Sequence, residues 1–395
     1  MLRAARYFHR RNFWKHLPVL VAGVLAGYLV GSNKPALRQA LTTETIIVEA
    51  PVMTNATTET PQVRAAIVAL VRNSDLFGLR LALRQIEDRF NHKHKYPYVF
   101  VNDVPFTDEF MQGVRDVTSA PVEFGQLDEH SWGIPEWIDQ ERYAEAKRTA
   151  QYPHAEKDSY RKMCRFQSGF LHHHPLLRNY DYYWRIEPDV EYYCDIDYDP
   201  FVFMKQRGIK YGWNIAMTEF MSTVETLWNT TEQFLAARPD VVSQRNLRRW
   251  LLDDKGAYTG CHFWSNFEIV DLSFYRSEAY QAYFDYLDRA GGFFYERWGD
   301  APVHSIAAAM LLDPSEIHYF DDIGYFHPSV LTCPRDARTR GSCVCDSDRS
   351  FVQNGYCTVR YKQVRQYELH PGENLDAVHT GPVIMAQPYV VGQHE

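Results

Sequence analysis

Glu187-Pro188-Asp189 sets two carboxylates on either side of a proline that fixes φ, a stiff turn suited to presenting oxygen ligands to a hard divalent cation. Such a cation could neutralise a diphosphate leaving group. An ordinary strand-ending turn is the other reading of the same three residues. Cys261-His262-Phe263-Trp264-Ser265-Asn266-Phe267-Glu268-Ile269 places one carboxylate among aromatics, where desolvation and a sugar-binding surface can coexist. In Trp298-Gly299-Asp300-Ala301-Pro302 the proline stands near the start of a helix, so the helix dipole would keep Asp300 ionised. The stretch from Ile317 to Pro328 ends in His327, able to offer neutral imidazole to a transition metal. Taken singly, each fits a structural polar group in an aromatic core as well as a catalytic one.

Two other patterns promise more than they hold. Asp195, Asp197 and Asp199 alternate as in a calcium loop, but Pro200 and Gln206 replace the glycine and glutamate that such a loop requires, so these acids are expected to cap or solvate a loop. His172-His173-His174 would diverge by about 100° per residue on a helix and cannot converge on one ion. A solvated helix end is expected there.

The elements that must carry these groups are legible from periodicity. Residues 65–71 form an apolar run of buried-strand type, and Ser74 is placed to cap a helix with Leu76, Leu79, Leu83, Ile86 and Phe90 on one face. Residues 98–101 make a second strand, completing a βαβ unit of a parallel sheet. The alternation continues with helices over 107–117, 135–150 and 158–173 and strands over 121–125 and 182–186. The last strand runs into Glu187, and ligands of open α/β sheets bind at the carboxyl ends of strands. No repeat, GxGxxG or P-loop occurs, so no glycine-rich phosphate cradle is available.

The 395 residues are 45% hydrophobic, 15% aromatic and 23% charged, a composition that excludes disordered, collagen-like and polytopic membrane proteins. The net charge of -8 is unevenly spread. Residues 1–40 contain Arg3, Arg6, Arg10, Arg11, Lys15, Lys34 and Arg38 and no acid, while the acidic remainder argues against nucleic acid as partner. Residues 17–33 are uncharged and mostly apolar, about 25 Å as a helix, and follow a basic flank. This reads as a type II signal anchor, with 1–16 cytosolic, 34–62 a lumenal stem and 63–395 the catalytic domain. A cleaved signal peptide and a transit peptide are the competing readings. The sequons Asn55-Ala56-Thr57 and Asn229-Thr230-Thr231 suit a lumenal body. Among seven cysteines, Cys333, Cys343, Cys345 and Cys357 crowd a polar stretch and read as disulfide staples on a loop, whereas Cys164, Cys194 and Cys261 have apolar surroundings.

Several long strings in fixed order, YWRIEPDVEYYCDIDYDPF, CHFWSNFEI, DLSFYRSEAYQAYFDYLDRAGGFFYERWGDAPVHS and DDIGYFHP, resemble the fungal α-1,2-mannosyltransferase family of type II Golgi enzymes. The resemblance runs from about Pro97 to Tyr361. It implies a mixed α/β fold, a mostly parallel central sheet flanked by helices in a GT-A-like, modified Rossmann arrangement. It further implies GDP-mannose as donor, Mn²⁺ as cofactor and a mannose-terminated O-linked or N-linked glycan of a glycoprotein as acceptor. Matched by motif, Glu187 stands in the metal and diphosphate region with Asp189 beside it, and His327 is the metal-ligating histidine. Tyr160 lies near the donor, Glu268 is the carboxylate proposed as nucleophile, and Asp300 is the acid engaging the acceptor hydroxyl. Glu219 and Asn266 are implied sugar or donor contacts. Retained configuration requires either two displacements or front-face attack. The alternatives are a metal-dependent lumenal phosphohydrolase and a non-catalytic mannan-binding lectin.

Overall fold

The computed structural model describes residues 63–335, 342–350 and 355–370. The expected tail, anchor and stem (1–62) lie outside these residues. No helix among the described residues is long and apolar enough to cross a membrane.

β1 (Ala65–Leu70), helix Leu76–Ile86 and β2 (Tyr98–Asn102) form the expected βαβ unit, β1 pairing parallel to β2. β3 (Val122–Gln126) adds beside β2 and β4 (Tyr182–Arg185) beside β1, both parallel. The chain then forms β5 (Glu191–Tyr192), β6 (Tyr211–Trp213), β7 (Ala216–Thr218), β8 (Cys261–Phe263) and β9 (Glu268–Asp271). β10 (Ile317–Tyr319), β11 (Tyr325–His327) and β12 (Val330–Thr332) follow. The central sheet runs β10-β6-β9-β4-β1-β2-β3, with β9 antiparallel to both neighbours and every other pair parallel. This is the mixed, mostly parallel architecture that the sequence implies.

Alternation along the strands buries both faces of the sheet. Ala66, Val68, Val99, Val101, Tyr183 and Tyr211 belong to one core, whereas Ala65, Ile67, Tyr98, Phe100, Tyr182 and Trp184 belong to the other. Helix Leu76–Ile86 covers the second face with Leu79, Leu83 and Ile86. The first face carries helices Asp158–Gly169, Glu278–Ala290 and Asp300–Leu311, the last buried on all sides from Asp300 to Met310. Two small sheets stand beside the central sheet: β12-β11-β5, and the antiparallel pair β7-β8.

Local chemistry overrides four expectations. Ser74 does not cap the first helix, because residues 73–75 form a 3₁₀ turn in which the Asp75 carboxylate accepts from the Arg72 amide. The helix expected from 135 begins at Gln140, where Asp139 accepts from the Arg142 amide. The helix expected to reach 173 ends at Gly169, whose missing Cβ makes room for the Phe284 ring. Of the histidine triplet, His172 is buried, its ring against the Gln281 amide, so this is no solvated helix end. The aspartate series behaves as expected, Asp199 capping helix Pro200–Arg207 through the Phe201 and Val202 amides.

The cysteines pair across the fold. Cys333–Cys345 is a local staple, but Cys194–Cys343 and Cys261–Cys357 join residues 149 and 96 positions apart. The expectation that the four late cysteines staple one loop is therefore corrected. Cys357 begins the buried side of helix Tyr356–Leu369, against Trp250, and Cys194 continues the segment of β5, so tertiary packing selects partners that spacing cannot. Cys164 remains a buried free thiol.

Candidate active site

The cleft opens where β4 and β6 end and β9 begins. Arg185, Glu268 and Trp213 are register partners across these three strands, so their side chains share one face of the sheet. Glu187 lies two residues beyond β4, and Ser265 and Asn266 occupy the turn leading into β9. Glu219 follows β7, Asp300 begins its helix, Tyr160 lies in the first turn of the 158–169 helix, and His327 ends β11. β11 pairs with β5 just past Glu187, which returns His327 to that carboxylate. The resulting cavity of about 490 Å³ is lined by Tyr160, Glu187, Glu219, Asn266, Asp300 and His327, together with Arg185, Arg297, His262 and Trp264.

Arg185 ties the two halves of the site together. Its Nη1 donates to Asp300 Oδ2 at 2.6 Å and its Nη2 to Glu187 Oε1 at 2.5 Å. Ser265 Oγ donates to the same Asp300 oxygen at 2.7 Å. Burial opposes the charge on both acids, but their partners together outweigh it: Arg185 and His327 hold Glu187 at about 2, and Arg185, His304 and Ser265 hold Asp300 below the usual carboxylate range. Arg185 thus adds a direct charged partner to the helix terminus at which Asp300 stands.

Glu187 Oε2 and His327 Nε2 approach to 3.4 Å, and the imidazole packs edge-on against Trp264 at 4.3 Å between ring centres. One carboxylate oxygen and one imidazole nitrogen converging on a cavity wall are donors that a first-row divalent ion accepts, leaving its other positions to phosphate oxygens and water. Among the described residues, three His, Cys, Asp or Glu donors come together only at Cys194, Cys343 and Cys345, whose sulfurs are engaged in disulfides.

At the other end of the cavity Tyr160 stacks on His154, ring centres 4.6 Å apart, while the Arg297 guanidinium lies 4.9 Å from the same ring. Burial pushes the Tyr160 hydroxyl up and keeps it a neutral donor. Arg297 is 4% exposed and reaches Glu219 at 3.7 Å. Asn266 is buried, its Oδ1 accepting from the Tyr325 hydroxyl at 3.1 Å.

Two sequence-derived candidates stand apart. Asp189 does not line the cavity: its backbone is left-handed (φ 62°) and its carboxylate lies over Gly78 in the first turn of the 76–86 helix, where even a Cβ would collide with it. The turn that begins β5 swings this side chain away from Glu187. Glu268 has no accessible surface and does not line the cavity either. Its Oε1 accepts from the Tyr183 hydroxyl; its Oε2 accepts from Tyr211 at 3.1 Å and Tyr275 at 3.2 Å and lies 3.0 Å from His304 Nδ1. Both oxygens are engaged by these partners, so the carboxylate expected to act as nucleophile is enclosed and hydrogen-bonded rather than open to the cavity. Arg185 and Arg297 are the site residues that the sequence reading missed. Arg185 had a signal, because the β4 period turns it inward and a buried guanidinium requires carboxylate partners.

The sequence profile of the glycolipid 2-alpha-mannosyltransferase family matches residues 32–366. Glycolipid 2-alpha-mannosyltransferase 1 of Candida albicans is 48% identical over 318 residues, covering 79% of this chain and 74% of the relative. Alpha-1,2 mannosyltransferase KTR1 of Saccharomyces cerevisiae is 47% identical, covering 78% and 80%. Among solved structures, core-mannan synthase A from Aspergillus fumigatus in its Mn/GDP form superposes with a TM-score of 0.72 at 40% identity, covering 79% of this chain and 86% of that one. The mannosyltransferase Ktr4p from S. cerevisiae in complex with GDP gives 0.72 at 38%, covering 80% and 83%.

Proposed function

The chain belongs to the glycolipid 2-alpha-mannosyltransferase family, and from that membership and the cleft we propose that it is a retaining α-1,2-mannosyltransferase that moves mannose from GDP-mannose to mannose-terminated glycans of glycoproteins. The observation that carries the reading is Arg185, which holds the acceptor-side carboxylate Asp300 and the diphosphate-side carboxylate Glu187 on one guanidinium. Glu187 and His327 would hold Mn²⁺, which when bound offsets negative charge developing on the GDP leaving group.

The chain's own residues account for the rest. Asp300, kept ionised by Arg185, accepts the proton of the acceptor hydroxyl. Neutral Tyr160, clamped by His154 and Arg297, donates toward the donor sugar, and Glu219 with Asn266 fixes hydroxyl positions. Trp264 supplies an apolar wall. Because Glu268 is withdrawn, the geometry supports front-face attack over displacement by that carboxylate. The body is read as lumenal, held to the Golgi membrane by residues 17–33 through the 34–62 stem; three disulfides suit that oxidising compartment.

The purified protein given GDP-mannose, Mn²⁺ and methyl α-mannoside should release GDP and form an α-1,2-linked disaccharide. No transfer to any of a panel of mannose acceptors would refute the activity, and a β-linked product the stereochemistry.

A further inference from the structure

We propose that Asn229 is an N-glycosylation site, and that its oligosaccharide is attached before the helix carrying it has packed. This rests on the lumenal placement just proposed. Asn229-Thr230-Thr231 has the sequon pattern and lies in the first turn of helix Leu227–Ala237. The fold separates its side chains. Asn229 is exposed, whereas Thr230 and Thr231 are buried.

Thr231 Oγ1 lies 3.0 Å from the hydroxyl of Tyr283, on the facing helix Glu278–Ala290, and is fully enclosed. The neighbours of Asn229 one turn away on either side, Glu225, Thr226, Glu232 and Gln233, are all exposed, so a sugar leaving Asn229 enters solvent and displaces no packing. The folded chain thus presents the acceptor amide while hiding the hydroxyl at the sequon's third position. An enzyme that must read both groups finds them together only on an unpacked chain.

The co-reactant is a lipid diphosphate-linked oligosaccharide. The bond from Asn229 Nδ2 to the sugar's anomeric carbon forms as that carbon's bond to the diphosphate oxygen breaks. One amide proton passes to a base of the transferring enzyme, and the lipid diphosphate departs.

The test uses the full chain expressed in a host that N-glycosylates, with Asn55 as the internal reference. Asn55→Gln should retain one step of mobility sensitive to an N-glycan amidase, and Asn55→Gln with Asn229→Gln should lose it. If the wild type shows a step that Asn55→Gln alone abolishes, the chain reaches the lumen and the Asn229 proposal is overturned. If no step is seen and the Cys261–Cys357 bond is also missing from non-reduced peptides, the lumenal reading has failed and the proposal fails with it. Thr231→Ser should keep the step and Thr231→Val should remove it. The order of events has its own readout, using unglycosylated protein incubated with oligosaccharyltransferase and lipid-linked donor. Folded protein should stay unmodified at Asn229 while reduced, denatured protein accepts the sugar; modification of the folded form would overturn the claim of order.

Discussion

Glu187, two residues past β4, and Glu268, paired with Arg185 at the start of β9, live in opposite surroundings. Glu187 opens into the cleft, shares Arg185 with Asp300 and meets His327, all charged or ionisable partners. Glu268 is sealed among three tyrosine hydroxyls and an imidazole. The first arrangement keeps a negative charge available to a ligand. The second engages both carboxylate oxygens with tyrosine hydroxyls and an imidazole, because a buried acceptor of this kind stabilises only when its partners satisfy it. Residue type alone would treat the two as alike.

The largest consequence of this division is expected at Asp300. Asp300→Asn removes the proposed proton acceptor while leaving the Arg185 side in place, and kcat should fall by about 10²- to 10⁴-fold with GDP affinity retained, measured by transfer to methyl α-mannoside and by nucleotide titration. A loss confined to the KM for GDP-mannose would move Asp300 to the donor side. Next, His327→Ala should weaken Mn²⁺ activation by at least the ~10- to 100-fold that losing even an outer-shell partner costs. An unchanged metal titration would remove His327 from the ion's ligands.

Glu268→Gln should act on the fold and hardly on the chemistry. It mismatches buried donors and acceptors, so stability should drop by about 1–3 kcal/mol in denaturant titration. The kcat of the folded fraction should change by less than about tenfold, ~1.4 kcal/mol. A collapse of turnover at unchanged stability would restore Glu268 to the chemistry and erase its contrast with Glu187.

The smallest effect lies far from the cleft, at His318. Burial between Phe203 and Phe320, with the charges of Arg365 and Arg207 nearby, lowers its imidazole to about 4. The folded state therefore prefers the neutral ring. That stability is full above the ordinary histidine value near 6.5 and declines as the pH falls toward 4. His318→Gln should flatten this acid limb in melting curves taken from pH 7 to 4; an unaltered limb would show that other groups set it.

Much of the frame was legible before any coordinates. Apolar runs at residues 65–71 and 98–101 and the amphipathic stretch between them specify a βαβ unit, and Glu187 follows just past the end of β4. Asp300 was legible through its helix start, and His327 through its family motif. Asp189 was not, because a left-handed residue after Pro188 reverses its direction, a choice made by the docking of β5 on β11. Arg297 was illegible for a related reason: nothing local marks an arginine that matters only once Tyr160 and Glu219 are folded against it.

Residue types and their periods determined the strands, the helices and the set of groups able to bind an ion or move a proton, since these follow from local sterics and from alternating burial. Which carboxylate faces the cleft, which cysteines join and which histidine is enclosed were decided by packing between segments up to 149 residues apart. Those contacts exist only after the chain has closed upon itself, and burial and charge then assign identical side chains to different work.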